Sequence, residues 1–139
     1  MEAANKGASD AGAESVGLNI ILPHEQAPNQ YVTPYLSLNF HYFALRKMHF
    51  LLRAKAVAVF PGGFGTFDEF FELLTLIQTG KMKPMPILLF GEDFWSRVIN
   101  FEALAEEGTI SARDLDLITW CETADEAWAA IAKFYELKG

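Results

Sequence analysis

The sequence predicts an α/β protein, a Rossmann-like doubly wound parallel sheet. Strand-like apolar runs alternate with helical patterns along the chain, and no hairpin turn joins two of the strands. One glycine-rich segment also runs straight from an apolar strand into a helix. A strand that leaves its sheet through a helix returns parallel to the first, so this alternation leads to a parallel sheet.

The elements follow in order. Residues 1–12 read as the tail of a helix with Ala3, Ala4 and Ala8 on a small-residue face, and residues 16–21 as a short strand. Residues 22–33, with Pro23, Pro28 and Asn29, form a loop. Leu36, Leu38 and Phe40 alternate with Tyr35, Ser37 and Asn39, the period of a half-buried strand. Residues 41–55 are helical, with Leu45, Met48, Leu51 and Leu52 as the apolar stripe. Residues 56–60 are continuously apolar, as a strand covered on both faces would be. In residues 66–79, Phe67, Phe70, Phe71, Leu74 and Ile77 fall on one helical face, and Gly80 ends the helix. A buried strand at 86–90, a helix at 95–106 and a short strand at 117–121 come next. A closing helix at 123–137 starts with a Thr123-Ala124-Asp125-Glu126 capping box.

The chain of 139 residues is long enough for one domain, 1–139, with one core. A formal charge of −7 and the lack of any Lys or Arg run argue against nucleic acid as a partner, since phosphate backbones are repelled. A small phosphate ligand is not excluded, because a local cradle outweighs net charge there. Cys121 is the only cysteine, so no intrachain disulfide and no cysteine-rich metal site can form. His24, His41 and His49 lack a metal-ligand spacing, so no metal is expected. The opening residues do not resemble a signal peptide, and no apolar run nears the roughly 20 residues of a membrane span. The expectation is a cytoplasmic protein that does not engage a membrane.

Chemistry concentrates in Phe60-Pro61-Gly62-Gly63-Phe64-Gly65-Thr66-Phe67-Asp68-Glu69. Glycines between strand and helix let backbone N–H groups approach an anion, and the helix start adds partial positive charge. In a parallel sheet this loop lies at the carboxyl ends of the strands, where ligands bind. No Gly-Lys-Ser/Thr follows, so it is not a Walker A loop, and the glycine spacing differs from a dinucleotide fingerprint. Thr66-Phe67-Asp68-Glu69 also spells a capping box, in which Glu69 would only satisfy a backbone donor. On these residues alone the two readings are balanced. Arg46, His49 and Arg53 at helical spacing read by themselves as a solvated face.

Several motifs in order resemble the LONELY GUY family of nucleoside-monophosphate (cytokinin riboside 5′-monophosphate) phosphoribohydrolases, once mislabelled lysine decarboxylases. Pro61-Gly62-Gly63-x-Gly65-Thr66-x-x-Glu69 is similar to the family signature. Residues 1–8 look like the helix after its first glycine loop, and Gly17-Leu18-Asn19-Ile20 and Pro23-His24-Glu25-Gln26 look like its next strand and loop. Arg46-Lys47 matches its Arg-Lys pair, and the likeness extends into Pro86-Ile87-Leu88-Leu89-Phe90-Gly91. From about Trp95 onward only the pattern matches.

The resemblance implies hydrolysis of the N-glycosidic bond of AMP or an N6-modified AMP, with Arg46 and Glu69 catalytic and no cofactor. It implies substrate contacts from Glu25, Lys47, Gly62, Gly63, Phe64, Gly65, Thr66 and Thr75. Thr75 shares the polar face of its helix with Asp68, Glu72 and Thr79. Pyridoxal-phosphate chemistry is not expected, because Lys47 stands beside Arg46 with no sign of a desolvated site. The alternative is a non-catalytic carrier of a nucleotide or of molybdenum cofactor, which would need the loop but not the Arg46 and Glu69 pair. The resemblance also implies a homodimer or higher homo-oligomer, for which Phe43, Phe50, Phe70 and Phe71 offer apolar surface. Family members begin with a strand, a helix and a second strand ending in Gly-Gly-Gly. Met1 aligns just after that loop, so the expectation is an N-terminally truncated unit, either a fragment or an internal start of a longer protein.

Overall fold

A computed structural model of the chain describes residues 1–21 and 27–137. These fall into two compact units, Met1–Arg53 and Ala54–Gly139. Each carries its own sheet, and every strand pair is parallel, as the alternation of strands and helices requires.

In the first unit, β1 (Gly17–Ile20) pairs with β2 (Ser37–Phe40), Gly17 opposite Ser37 and Ile20 opposite Phe40. Helix α1 (Glu2–Asp10) buries no residue. Its sequence has no large apolar side chain, and polar bonds attach it instead: Asn5 donates to Ser15 Oγ, and Asn29 Nδ2 donates to Asn5 Oδ1 at 2.9 Å. A 3-10 turn, Pro34–Leu36, takes up Leu36 before the strand begins, so the alternation is broken and Leu38 is exposed.

Helix α2 (Phe43–Leu52) packs on both strands of this unit. Of its expected apolar stripe only Leu51 is buried, while Leu45, Met48 and Leu52 are exposed. The stripe is present in sequence, but two strands about 5 Å apart meet only one ridge of a helix about 10 Å across.

In the second unit the order is β3 (Val57–Val59), β4 (Ile87–Phe90), β5 (Ile118–Cys121). Central β4 buries Ile87, Leu88 and Leu89, so both of its faces are covered. Strand β3 differs from the expectation of two covered faces: Val57 and Val59 are buried, but Ala58 is exposed. It lies at the edge of its sheet, so layers that cover β4 reach it on one side only. Helix α3 (Phe64–Gln78) buries Phe70, Leu73 and Ile77 and ends as expected at Gly80. Gly80 takes φ +70°, with Gly80 N–H donating to Ile77 O and Lys81 N–H to Leu76 O, a Schellman closure.

The helix expected at 95–106 is two helices, α4 (Glu92–Val98) and α5 (Phe101–Glu106). Ile99 is extended and Asn100 caps the second, its Oδ1 accepting from Ala103 N–H at 3.0 Å. Asparagine favours that capping role over a helix interior. A 3-10 turn, Ala112–Leu117, leads into β5, and α6 (Ala124–Phe134) closes the chain behind the expected Thr123–Glu126 box. Among the described residues no helix is long and apolar enough to cross a membrane.

The Glu126 carboxylate accepts from the amides of Glu122 and Thr123, which hold its pKa below the ordinary value of 4.5. The folded state thus binds this proton less readily than the unfolded chain. The resulting stabilisation is complete above the unfolded pKa and is lost as pH falls through the lower folded value. The urea midpoint should therefore drop between about pH 5 and about pH 3, and Glu126→Gln should flatten part of that slope. Equal slopes in the two proteins would remove Glu126 from the acid response.

Candidate functional site

Strand β3 ends at Val59, Phe60 to Gly63 form the loop, and α3 begins at Phe64. Gly63 is the N-cap: its carbonyl accepts from Thr66 N–H at 2.9 Å and Phe67 N–H at 3.2 Å. The helix therefore starts two residues before the expected position, and Thr66 already lies inside its first turn. This removes the reading of Thr66 to Glu69 as a capping box, and Glu69 sits within the helix rather than at its cap. Glycine has no side chain with which to cap, so Gly63 leaves the first amides of α3 uncovered. Phe64 beside it is 96% exposed.

The contrast with the neighbouring helices is informative. Parallel pairing places the starts of α3, α4 and α6 at the same end of the sheet. In α4, Glu92 N–H donates to Glu122 Oε1 at 2.9 Å. In α6, Glu126 N–H donates to Thr123 Oγ1 at 3.2 Å, and Glu126 accepts from two backbone amides in return. Two of the three helix starts are thus capped by acidic or hydroxyl groups of the chain itself. Gly63 has no side chain with which to do this for the first turn of α3. An uncapped glycine-rich helix start is what an anionic ligand requires.

The loop glycines have different surroundings. A Cβ on Gly62 would lie 2.2 Å from Thr66 Oγ1, so the threonine folds back over that glycine. At Gly63 and Gly65 nothing lies within 4 Å of such a Cβ, which leaves open space beside the amides. Gly91, after β4, has φ +82°, and a Cβ there would come 3.1 Å from Pro61 Cγ. Sequence reading did not single out Gly91; its signal is a lone glycine immediately after a buried strand.

Glu69 follows Gly65 by four positions and Thr66 by three, so its side chain shares their helix face one turn on. It is half-buried, and its Oε2 is shielded from solvent, as is that of Glu72. Loop and carboxylate are therefore brought together by a single helix. Thr75 stands apart from them, nine residues beyond Thr66 and so about 13 Å along the helix. Its hydroxyl donates to Phe71 O at 2.7 Å. It lines a cavity of about 90 Å³ with Phe71, Leu74, Phe101, Leu104 and Ile118, where Gln78 donates to Asp114 at 2.7 Å.

Arg46 and Lys47 are adjacent and half-buried on α2 of the first unit. On the same helix His49 is exposed, its ring tilted against Phe40 with centroids 5.3 Å apart, and Arg53 is the exposed C-cap. Glu25 lies outside the described residues. Among the described residues no group of three His, Cys, Asp or Glu side chains could hold a metal ion.

A family model described as "possible lysine decarboxylase" matches residues 1–131. The chain belongs to this family, LONELY GUY. No curated protein matches it significantly. Lysine decarboxylation would call for pyridoxal phosphate, which needs a lysine in a desolvated pocket to form a Schiff base. In this LONELY GUY chain every other described lysine is exposed, and Lys47 is only half-buried beside a permanent guanidinium. These residues do not fit that cofactor.

The glycine geometry separates ligand binding from folding. Gly65→Ala should leave the melting temperature unchanged or slightly higher, since Ala is favoured over Gly in a helix by up to ~1 kcal/mol. The same change should weaken about tenfold any nucleotide phosphate held at these amides, by filling the space beside them. Calorimetric titration with AMP checks this, and unchanged affinity would place the ligand elsewhere. Gly62→Ala should weaken binding and also lower the melting temperature, because its Cβ displaces Thr66.

Proposed function

We propose that the chain binds a nucleoside 5′-monophosphate at the 60–66 loop and hydrolyses its N-glycosidic bond, releasing free base and ribose 5-phosphate. The observation that carries this reading is the uncapped start of α3 with Glu69 one turn inside the same helix. Phosphate would be held by the Gly63, Phe64 and Gly65 amides and the Thr66 hydroxyl. As the bond from C1′ to the base nitrogen breaks, its electron pair leaves with the base and positive charge develops on the ribose. A carboxylate beside that centre stabilises the charge and orients the water that adds to C1′; Glu69 has this role. Arg46 grips the substrate or the departing base. It is not a general acid, since guanidinium stays protonated to above about pH 12. AMP or an N6-substituted AMP is the simplest substrate. A carrier of intact nucleotide would need the loop but not the Glu69 and Arg46 pair, so tight binding without turnover would favour that alternative.

Incubation with AMP and chromatography of free adenine tests the reading, and lack of base release would reject hydrolysis. Glu69→Gln should reduce turnover on the order of 10²-fold, as loss of one electrostatic stabiliser commonly does. Its melting temperature should fall far less than its turnover, because Gln keeps the size of Glu69 and can still accept a hydrogen bond. Arg46→Lys, which keeps charge but loses the planar fork, should also impair turnover. Activity near wild type in both variants would clear these residues of a catalytic role.

Self-association belongs to the same proposal. Phe43 and Phe50, with Leu45 and Met48, expose apolar surface on α2, whereas Phe70 is buried in the core and contributes none. Light scattering at micromolar concentration should report a homo-oligomer, and a monomer would reject it.

A further inference from the structure

We infer that Trp95 is a positioning residue for the phosphate loop, holding both ends of that loop to the end of β4. This rests on the phosphate-loop reading above. The loop runs from Phe60, at the end of β3, to Phe67, in the first turns of α3. Phe60 stacks on Phe90 with ring centroids 4.5 Å apart and an interplanar angle of 17°. Trp95 Nε1–H donates to the carbonyl of that same Phe90 at 2.8 Å. The Trp95 indole, 0% exposed, then lies 5.2 Å from the Phe67 ring and 5.6 Å from Phe70. One chain of contacts thus runs from Phe60 through Phe90 and Trp95 to Phe67 and closes around residues 61–66.

The next residue extends the closure. Gly91 turns the backbone away from β4 at φ +82° and abuts Pro61 so closely that a Cβ would lie 3.1 Å from its Cγ. Indole carries a single donor, and here it is committed to the backbone carbonyl of Phe90, the last residue of β4. Phenylalanine would fill most of the same space without that donor. It would leave the end of β4 free to shift and, through Phe60 and Pro61, the amides that face phosphate. The glycine loop has little stiffness of its own, so its geometry must come from these neighbours.

The test uses the full chain and the Trp95→Phe variant. Calorimetry with AMP and with ribose 5-phosphate should show both dissociation constants raised roughly tenfold, the scale of losing one buried hydrogen bond. Steady-state KM for AMP should rise in parallel, with kcat within about twofold of wild type. Trp128→Phe, on the exposed face of α6, should leave all of these unchanged. A purely structural Trp95 would instead lower the melting temperature and the active fraction, reducing apparent kcat while Kd and KM stay put; that pattern overturns the inference. Should Trp95→Phe fail to fold, Gly91→Ala perturbs the same closure from the Pro61 side, and unchanged affinity there overturns it equally. The Kd comparison needs no hydrolysis, so a wild type that binds AMP without releasing adenine refutes the hydrolase reading alone. A wild type that binds neither ligand refutes Trp95 as a positioning residue.

Discussion

Parallel pairing of β3, β4 and β5 brings the carboxyl ends of three strands, and the first turns of the helices that follow them, to one end of a sheet. Each helix start carries amide hydrogens that the helix itself cannot satisfy. The chain resolves this differently at each position. Glu122 serves α4, and Thr123 with Glu126 serves α6. At α3 the capping position is Gly63, and a fully exposed phenylalanine follows. The fold thus leaves one of three equivalent helix starts with a cap that has no side chain, and the rest of the candidate site is organised around it.

This local arrangement reconciles a formal charge of −7 with the anionic ligand proposed for the loop. Net charge acts over distances that salt screens, whereas amide dipoles act at contact. At the two neighbouring helix starts, Glu122 accepts from the Glu92 amide of α4, and Glu126 accepts from the Glu122 and Thr123 amides that lead into α6. Their hydrogen bonds neutralise two competing helix starts and keep those carboxylates anchored. The aromatic layer beneath, with Phe67, Trp95, Phe70 and Phe101 linked ring to ring in that order, gives α3 a packed seat. A loop rich in glycine needs such a seat, because it supplies no rigidity itself.

Much of this could be read from the residues in line. The order of strands and helices, the Gly80 stop, the Thr123–Glu126 box and the glycine-rich strand-to-helix loop all rest on local patterns, and all reappear in the structure. Short-range rules succeed there because the causes are short-range: side-chain period, caps and turns. They fail where two local solutions compete. Thr66 to Glu69 satisfies the spelling of a capping box, yet the helix extends back to Gly63 because Phe64 and Gly65 also accept helical geometry. Residues 95–106 carry a continuous helical pattern, yet Asn100 caps a new helix.

What the sequence by itself determined is the α/β class, the parallel connection of its strands and the chemical character of the loop after β3. Those follow from patterns within a dozen residues. Only the tertiary structure decided which apolar strand is central and which is an edge: Leu88 and Ala58 sit in similar apolar runs, but only Leu88 has neighbours on both sides. It also decided that Trp95 is wholly buried against Phe67 and bonded to Phe90, a role no spacing announces. Burial depends on which distant segments arrive to cover a side chain, and that information belongs to the packing of the whole unit.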